Sequence, residues 1–235
     1  AQRMKMIAIK PTHQSLYSVS RHVQGTKSGE LVSYFQAKIA EIAGNPGNGE
    51  KGNNEAISSA KLKVYNDICE TLAPPNVLST YMRELLPSIE QLFQFRHTFA
   101  TQLALNSLLQ YALSITERNP SRFAFCHSTG HILSQDFRSQ YTLPNGSLEK
   151  HDVPFRLTRN ITEFIGPFVL EGVYVPSFAI ISAAMDSKRS ELEPVLHLLL
   201  RDDVMAWCLS RSPVKNDQKI QDLERQLSDR IWTNV

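Results

Sequence analysis

The sequence predicts an α+β fold that is mainly helical, with one short β-hairpin near its middle. Apolar residues recur at three- and four-residue steps over several long segments, which is the periodicity of amphipathic helices. Two short apolar runs, Phe123–Cys126 and Ile132–Phe137, flank the turn sequence Ser128-Thr129-Gly130. Short apolar runs joined by a Gly-containing turn are typical of a hairpin.

Composition limits the class of protein. The chain has 235 residues, of which 42% are hydrophobic, so it can bury the core of one large or two small domains. The formal net charge of +2 is too balanced for a nucleic-acid-binding surface. We find no signal peptide and no 18-residue apolar run, and therefore expect neither export nor a membrane span. The beginning, Ala1-Gln2-Arg3, resembles the interior of a longer protein.

No metal or disulfide pattern is evident. Cys69, Cys126 and Cys208 lie far apart among apolar neighbours, which favours reduced, buried thiols of an intracellular protein. His13 and His22 have no partner at ligand spacing, so we predict no metal site there.

The first half of the chain reads as strands followed by helices. Loose alternation predicts strands at Met4–Ile9 and Leu16–Val23, with a turn at Pro11-Thr12-His13-Gln14. Leu31–Ala43 has helical periodicity and ends before the Gly- and Asn-rich loop Gly44–Asn54. That loop lacks the Lys-Ser/Thr ending of a phosphate-binding loop.

Three helices are predicted next. Asn54 can cap a helix over Glu55–Leu72, and Pro74-Pro75 ends it. A short helix covers Val77–Leu86. The third, Ile89–Ile115, is apolar on nearly all sides near its middle, which is typical of a buried helix at the centre of a domain.

The last third is also predicted to be helical. Thr162–Val175 and Ser177–Met185 are largely apolar and are expected to pack against the rest of the large C-terminal part of the fold. Leu192–Leu209 reads as another buried helix, with His197 as a core histidine. After the polar linker Ser212–Lys219, a clean amphipathic helix has its apolar face at Ile220, Leu223, Leu227 and Ile231.

The order of long helix, loop, hairpin and acidic tripeptide resembles the catalytic segment of the phosphatidylinositol-3-kinase-related kinases (PIKKs). Active members of that family carry Gly-Asp-Arg-His-x-x-Asn in the loop and His-Ile-Asp-Phe-Gly after the hairpin. Here the loop reads Thr116-Glu117-Arg118-Asn119-Pro120-Ser121-Arg122, and the second motif reads Ser134-Gln135-Asp136-Phe137-Arg138.

Three further blocks follow the family order. Phe95-Arg96-x3-Ala100-x3-Ala104 lies upstream, Val-Pro-Phe-Arg-Leu-Thr lies within His151–Gly172, and Leu200–Trp207 resembles a late helix with an Asp…Trp ending. The resemblance is strongest to the TRRAP-type pseudokinases, the activator-binding subunits of histone acetyltransferase complexes. Arg159 departs from that pattern, where Pro is expected.

The catalytic set of an active PIKK is degenerate in this chain. Phosphoryl transfer needs a positioned carboxylate and Mg²⁺ ligands. Glu117 keeps the charge on a longer arm, Asn119 replaces the loop His, and Arg122 places a cation at the metal-binding Asn. Arg138 replaces a Gly, and Asp136 alone is a weak magnesium site. The resemblance therefore implies no catalytic residue, no cofactor and no metal, and the two arginines are hypothesised to pair with Glu117 and Asp136.

The resemblance implies a protein-kinase-like (PI3K/PIKK) large lobe with hinge strands. Residues 1–25 would be the end of the small lobe and the hinge, 26–211 the pseudokinase large lobe, and 212–235 a linker and amphipathic helix. The implied function is a nuclear co-activator scaffold that links activators, bound through the parent chain, to histone acetyltransferase complexes. Direct contact with nucleic acid or membrane is not expected.

Two alternatives remain open. One is an active but atypical PI3K-like protein or lipid kinase that uses Glu117 and Asp136. The other is a helical interaction module that binds through its C-terminal helix, and the absence of a hairpin at residues 123–137 would favour it.

Overall fold

A computed structural model describes residues 11–24, 30–43, 54–113, 115, 119–134, 141–142, 147–148, 153, 155–211 and 217–235. The helices in these ranges are α1 Leu16–Gln24, α2 Glu30–Ala43, α3 Asn54–Thr71, α4 Val77–Leu85, α5 Ile89–Ala112, α6 Arg159–Ile165, α7 Pro167–Val169, α8 Val175–Ser187, α9 Arg189–Arg211 and α10 Asp217–Asn234. A π-helical turn, Leu170–Tyr174, joins α7 to α8. The strands are β1 His13–Ser15, β2 Phe123–Cys126, β3 Ile132–Ser134, β4 Tyr141–Thr142 and β5 Ser147–Leu148. The mainly helical α+β prediction is confirmed.

A small antiparallel sheet runs in the order β1-β2-β3, with β2 in the centre. His13 lies opposite Cys126, and Phe123 lies opposite Ser134. The predicted hairpin is confirmed, so the sign that would have favoured the helical interaction module is not found. The predicted strand Met4–Ile9 and the end of the second hairpin strand, 135–137, lie outside the described residues.

The core is built around α5, as predicted from its apolar middle. Phe99 and Leu103 are fully buried, and Phe125 of β2 and Phe164 of α6 meet the same face of α5. The ring of Phe99 lies edge-on to Phe125, with 5.8 Å between centroids, and edge-on to Phe164 at 5.7 Å. Edge-to-face aromatic pairs contribute about 0.5–1.5 kcal/mol each beyond their buried area. The helix ends at Ala112 rather than at Ile115.

The predicted strand at Leu16–Val23 is wrong, because this segment forms the helix α1. The backbone N–H of Ser18 donates to the Ser15 hydroxyl oxygen over 3.1 Å, which is the bond that an N-cap serine makes. Val19 is 1% exposed and faces the core cluster. The alternation of polar and apolar residues suggested a strand, but Ser15 caps a helix that begins at Leu16.

The predicted burial of α9 is wrong for several residues before Leu200, and α8 packs with one side only. Both helices form, but Ile180 of α8 is 67% exposed and Leu198 of α9 is 69% exposed. The continuous helical segment Pro167–Ser187 has 21 residues and contains an 18-residue stretch with a mean hydropathy of 1.7, of which 6% is buried. By length and composition alone it could cross a membrane, so the sequence does contain an apolar run that our prediction missed. One side of the segment, including Phe178, still packs on the core.

The predicted amphipathic C-terminal helix is confirmed as α10. Four apolar residues of α10 are buried against Ala112, Leu113 and Ile115 at the end of α5 and against Leu200 of α9. They are Ile220, Leu223, Leu227 and Ile231. The division of the chain at residues 25 and 211 remains a prediction.

His197 is not the core histidine that we predicted. Its side chain is 38% exposed, and its Nδ1 lies 3.1 Å from an Oε1 of Glu224 on α10. Glu193, one turn earlier on α9, lies 3.9 Å from its Nε2. Leucines surround His197 in sequence, which suggested burial. Its polar partner Glu224 belongs to another helix, so the local sequence pattern could not predict it.

Candidate functional site

The candidate site lies where the turn before β2, the end of β3 and the segment before α6 meet α5. Two hydrogen bonds and the strand pairing hold these parts in place. The N–H of Tyr17 in α1 donates to the Pro120 carbonyl over 3.2 Å. The N–H of Arg156 donates to the Gln110 side-chain oxygen over 3.3 Å. β1 and β3 flank β2 in the sheet.

The turn before β2 is stabilised by Asn119. The Arg122 N–H donates to the Asn119 carbonyl over 2.9 Å, which closes the turn. The Asn119 side-chain oxygen accepts from the Ser121 N–H at 3.0 Å and from the Ser121 hydroxyl at 2.9 Å. Asn side chains commonly stabilise turns through such local bonds. At the position of the family's loop His, this residue therefore has a structural use.

The hairpin register brings Arg122 and Ser134 to the same end of the sheet. Phe123 pairs with Ser134, and Arg122 directly precedes Phe123. Asn119 and Arg122 are exposed at this end. Glu117, Asp136 and Arg138 lie outside the described residues, so the proposed pairing of these carboxylates with the arginines remains a prediction.

The opposite end of the hairpin is anchored on α5 by Gly130. Its φ is +80°, and a Cβ at this position would lie 2.9 Å from the Phe95 carbonyl oxygen and 3.2 Å from the Phe99 nitrogen. The Gly130 N–H donates to the Cys126 carbonyl over 2.9 Å, and the Cys126 N–H donates to the His131 carbonyl over 2.8 Å. Only glycine allows this close approach, so the turn sets the distance between sheet and helix.

The same turn surrounds the Cys126 thiol with hydroxyl groups, a feature that the sequence analysis missed. Burial by itself raises the pKa of the Cys126 thiol, but hydrogen bonds from the side chains and backbone of Ser128 and Thr129 lower it to about 6. The Sγ lies 3.2 Å from the Ser128 hydroxyl oxygen. Hydroxyl residues two and three positions after the cysteine were the available signal. Cys69 and Cys126 are both free and buried, as predicted, and the side chain of Cys208 lies outside the described residues.

A half-buried arginine of α5 lies beside Phe164 of α6. The Arg96 guanidinium lies over the Phe164 ring, 5.2 Å from its centroid, an arrangement that stabilises a cation. Burial and then the nearby charge of Arg83 lower the pKa of Arg96. Arginine stays protonated despite such shifts, so this position carries a fixed positive charge.

Metal-binding potential is low in the part of the chain that the structure describes. There, no group of three or more His, Cys, Asp or Glu side chains is arranged to hold a metal ion. His13 and His22 are among the residues searched. Of the predicted site positions, Asn119 and Arg122 alone can be located, and both belong to the turn.

Comparison with known proteins places these features in a family. The family model "Phosphatidylinositol 3- and 4-kinase" matches residues 3–209. Over 186 residues the chain is 28% identical to the SAGA complex/NuA4 acetyltransferase complex subunit Tra1 of Schizosaccharomyces pombe, covering 77% of this chain and 5% of that protein.

Two further relatives extend the comparison. The chain is 22% identical over 209 residues to the transformation/transcription domain-associated protein of Homo sapiens, covering 87% of this chain and 5% of the relative. It is 25% identical over 177 residues to protein kinase rad3 of Schizosaccharomyces pombe, covering 69% of this chain and 7% of the relative. The chain thus spans a small fraction of the length of each relative. The similarity to Tra1 and to the human protein confirms the TRRAP-like resemblance. With its kinase-type hairpin seated on a buried helix and a family match over most of its length, the chain belongs to the phosphatidylinositol 3- and 4-kinase family.

Proposed function

We propose that this chain is the kinase-like domain of a TRRAP-type transcription co-activator scaffold and that it transfers no phosphoryl group. The observation that carries the proposal is the alignment of 77% of the chain with a Tra1 subunit of the SAGA and NuA4 acetyltransferase complexes. The degenerate motifs add a chemical reason, because Arg122 stands where an active member has an Asn that binds Mg²⁺.

The geometry of the turn supports the loss of catalysis. A guanidinium has five N–H donors and no acceptor, so Arg122 cannot ligate Mg²⁺. Asn119 has an oxygen, but that oxygen already accepts two hydrogen bonds from Ser121. Recruiting it to a metal would require breaking the turn that begins β2.

The proposed partners are subunits of histone acetyltransferase complexes, and the proposed location is the nucleus. Large exposed apolar patches on a protein commonly mark interaction surfaces. Several such side chains project from α7, α8 and α9, with exposed fractions of 91% at Phe168, 67% at Ile180 and 65% at Val195. These exposed apolar side chains suit a scaffold with protein neighbours. Transcription activators would bind through the parent chain.

An active PI3K-like protein or lipid kinase is the second candidate. Its support is the 25% identity to protein kinase rad3 over 69% of this chain. Such an enzyme would need Glu117 as the base and Asp136 as the metal ligand, with a further Mg²⁺ ligand from outside the degenerate motifs.

Affinity purification of the intact protein from nuclei, followed by a histone acetyltransferase assay, tests the scaffold proposal. We expect acetyltransferase activity to be enriched with the tagged protein and to be unchanged in an Asp136→Ala variant, because the scaffold needs no metal ligand. Untagged nuclei provide the background. An eluate with no enrichment, or one whose ATP-dependent phosphorylation is lost in Asp136→Ala, would contradict the proposal.

A further inference from the structure

The first two turns of α5 carry large apolar side chains that the rest of the described fold leaves uncovered. Ile89 is 85% exposed, and Phe93, one turn later on the same side of the helix, is 63% exposed. Ala100 and Ala104 continue this side at helical spacing, and both are fully buried. One face of α5 is therefore covered along its middle and bare at its beginning.

Two arginines border the bare part of this face. Arg96 lies three residues after Phe93, and its guanidinium is held against α6 by the Phe164 ring. Arg83, in the last turn of α4, is near enough for its charge to lower the pKa of Arg96. Within the part of the chain that the structure describes, neither arginine forms a hydrogen bond or an ion pair. Two neighbouring cations thus lack a counter-charge beside exposed apolar side chains.

The nearby acidic residues do not supply that counter-charge. Glu90 lies six residues before Arg96, which places it about 120° around the helix, and the N-terminus of α5 stabilises its carboxylate. Glu84 directly follows Arg83 in α4, so the two side chains diverge. Among the described residues, Arg83 is the one charge that shifts the pKa of Arg96.

We propose that the beginning of α5 is a docking surface for an acidic amphipathic helix of a protein partner. Helices pack along rows of residues four apart, so Ile89 and Phe93 would receive the apolar side chains of that helix. Its carboxylates, one turn away, would accept hydrogen bonds from the guanidinium groups of Arg83 and Arg96. The inference goes beyond the proposed scaffold role, because it assigns a surface and a partner chemistry that hold with or without phosphoryl transfer.

The arrangement of charges favours a peptide over a membrane. Glu84 and Glu90 are both exposed on the same two helices. An anionic lipid surface would repel these carboxylates while it attracted the arginines. A helix can place its carboxylates beside the arginines alone, so its charges match this surface better.

Three synthetic helical peptides of about 15 residues, a length that can hold a helix, test the proposal. They share one leucine face and differ only in carrying Glu, Gln or Lys beside it. We expect fluorescence anisotropy with the full chain to show the Glu peptide binding about tenfold more tightly than the Gln peptide, because charge-assisted hydrogen bonds are added. The Lys peptide should bind most weakly.

Two variants locate the binding. Phe93→Ala should weaken the Glu peptide by about tenfold, and Arg83→Glu should remove its advantage over the Gln peptide. Both side chains are exposed, so both variants should fold. The matched controls are Phe168→Ala on α7 and Arg225→Glu on α10, which also replace exposed side chains and should change neither affinity.

Three results would overturn the proposal. One is the absence of binding by the Glu peptide, or an affinity no higher than that of the Gln peptide. Another is an equal loss of affinity in Phe93→Ala and Phe168→Ala, because the peptide would then bind elsewhere. The third is binding to phosphatidylserine vesicles, without peptide binding, that Phe93→Ala abolishes, since the surface would then face a membrane.

Discussion

Gly130 shows how one residue can hold the hairpin against the central helix. Its positive φ and the 2.9 Å approach to the Phe95 carbonyl oxygen leave no room for a side chain. Because the contact is with backbone, a neighbouring rotamer change cannot relieve it. The sheet would have to move away from α5, where Phe125 meets Phe95 and Phe99.

Replacing Gly130 with alanine should therefore destabilise the protein. We expect Gly130→Ala to lower the free energy of unfolding by about 1–3 kcal/mol, because a strained backbone and a backbone clash coincide. Chemical denaturation of the variant and the wild type measures the change. Gly172→Ala is the control, since a Cβ there would meet nothing within 4 Å. Equal stability of the two variants would rule out the close approach.

The Cys126 thiol should ionise at an unusually low pH. Its pKa is lowered from 9.0 to about 6 in the folded protein, so the thiolate contributes stability that is complete above pH 9 and lost as the pH falls through about 6. The rate of alkylation by iodoacetamide, followed by mass spectrometry from pH 5 to 9, should rise with a midpoint near 6. Ser128→Ala should move the midpoint upward, and Cys69 provides an internal comparison. A midpoint above 8 in the wild type would show that burial dominates.

At the residue scale, sequence patterns predicted which residues lie in a loop or helix better than they predicted what surrounds each side chain. The turn positions Asn119 and Arg122 were predicted as a loop and are found there. His197 was predicted as buried because leucines surround it in sequence, yet Glu224 of another helix is its partner. The low pKa of Cys126 depends on a folded turn. Contacts between distant residues carry no local signal.

Helix α10 is the element whose role the sequence predicted most fully. Its apolar spacing of three and four residues identifies the buried face, and Leu227 and Ile231 are 4% and 2% exposed. The spacing does not reveal the partner of that face, which is α9 together with the end of α5. Helix α1 was misassigned because Ser15 was not recognised as its N-cap.

Truncating the buried face of α10 should separate this helix from its partner. We expect Ile231→Ala to lower the free energy of unfolding by about 2–5 kcal/mol, the usual cost of deleting a large core side chain. Gln226→Ala, on the exposed face of the same helix, should change it by less than about 0.5 kcal/mol. Thermal and chemical unfolding of both variants provide the measurement. A small effect of Ile231→Ala would mean that α10 is not docked in solution.

Helices α8 and α9 show where periodicity is least informative. Their apolar residues predicted burial, but Val195 is 65% exposed and Leu198 is 69% exposed. An apolar helix surface carries the same sequence signal whether it faces a core or a protein partner. Only the arrangement of the surrounding helices shows which apolar residues of α8 and α9 are exposed.

At the scale of the whole molecule, the chain has a mainly helical fold and belongs to the phosphatidylinositol 3- and 4-kinase family. The buried α5 and the hairpin seated on it were both predicted from sequence, because each depends on local patterning. The proposed loss of catalysis depends on Glu117, Asp136 and Arg138 as well as on the turn. The proposed loss of catalysis is therefore tested by a functional measurement.

Calorimetric titration of the intact protein with ATP in the presence and absence of Mg²⁺ tests the proposed loss of catalysis most directly. We expect no Mg²⁺-dependent binding by the wild type, because the family resemblance puts Arg122 at the place of a metal-binding Asn and Arg138 at the place of a Gly. Arg122→Asn and Arg138→Gly, measured singly and together, test whether these two cations are the cause. Micromolar Mg²⁺-dependent binding by the wild type that disappears in Asp136→Ala would contradict the account and favour an active kinase.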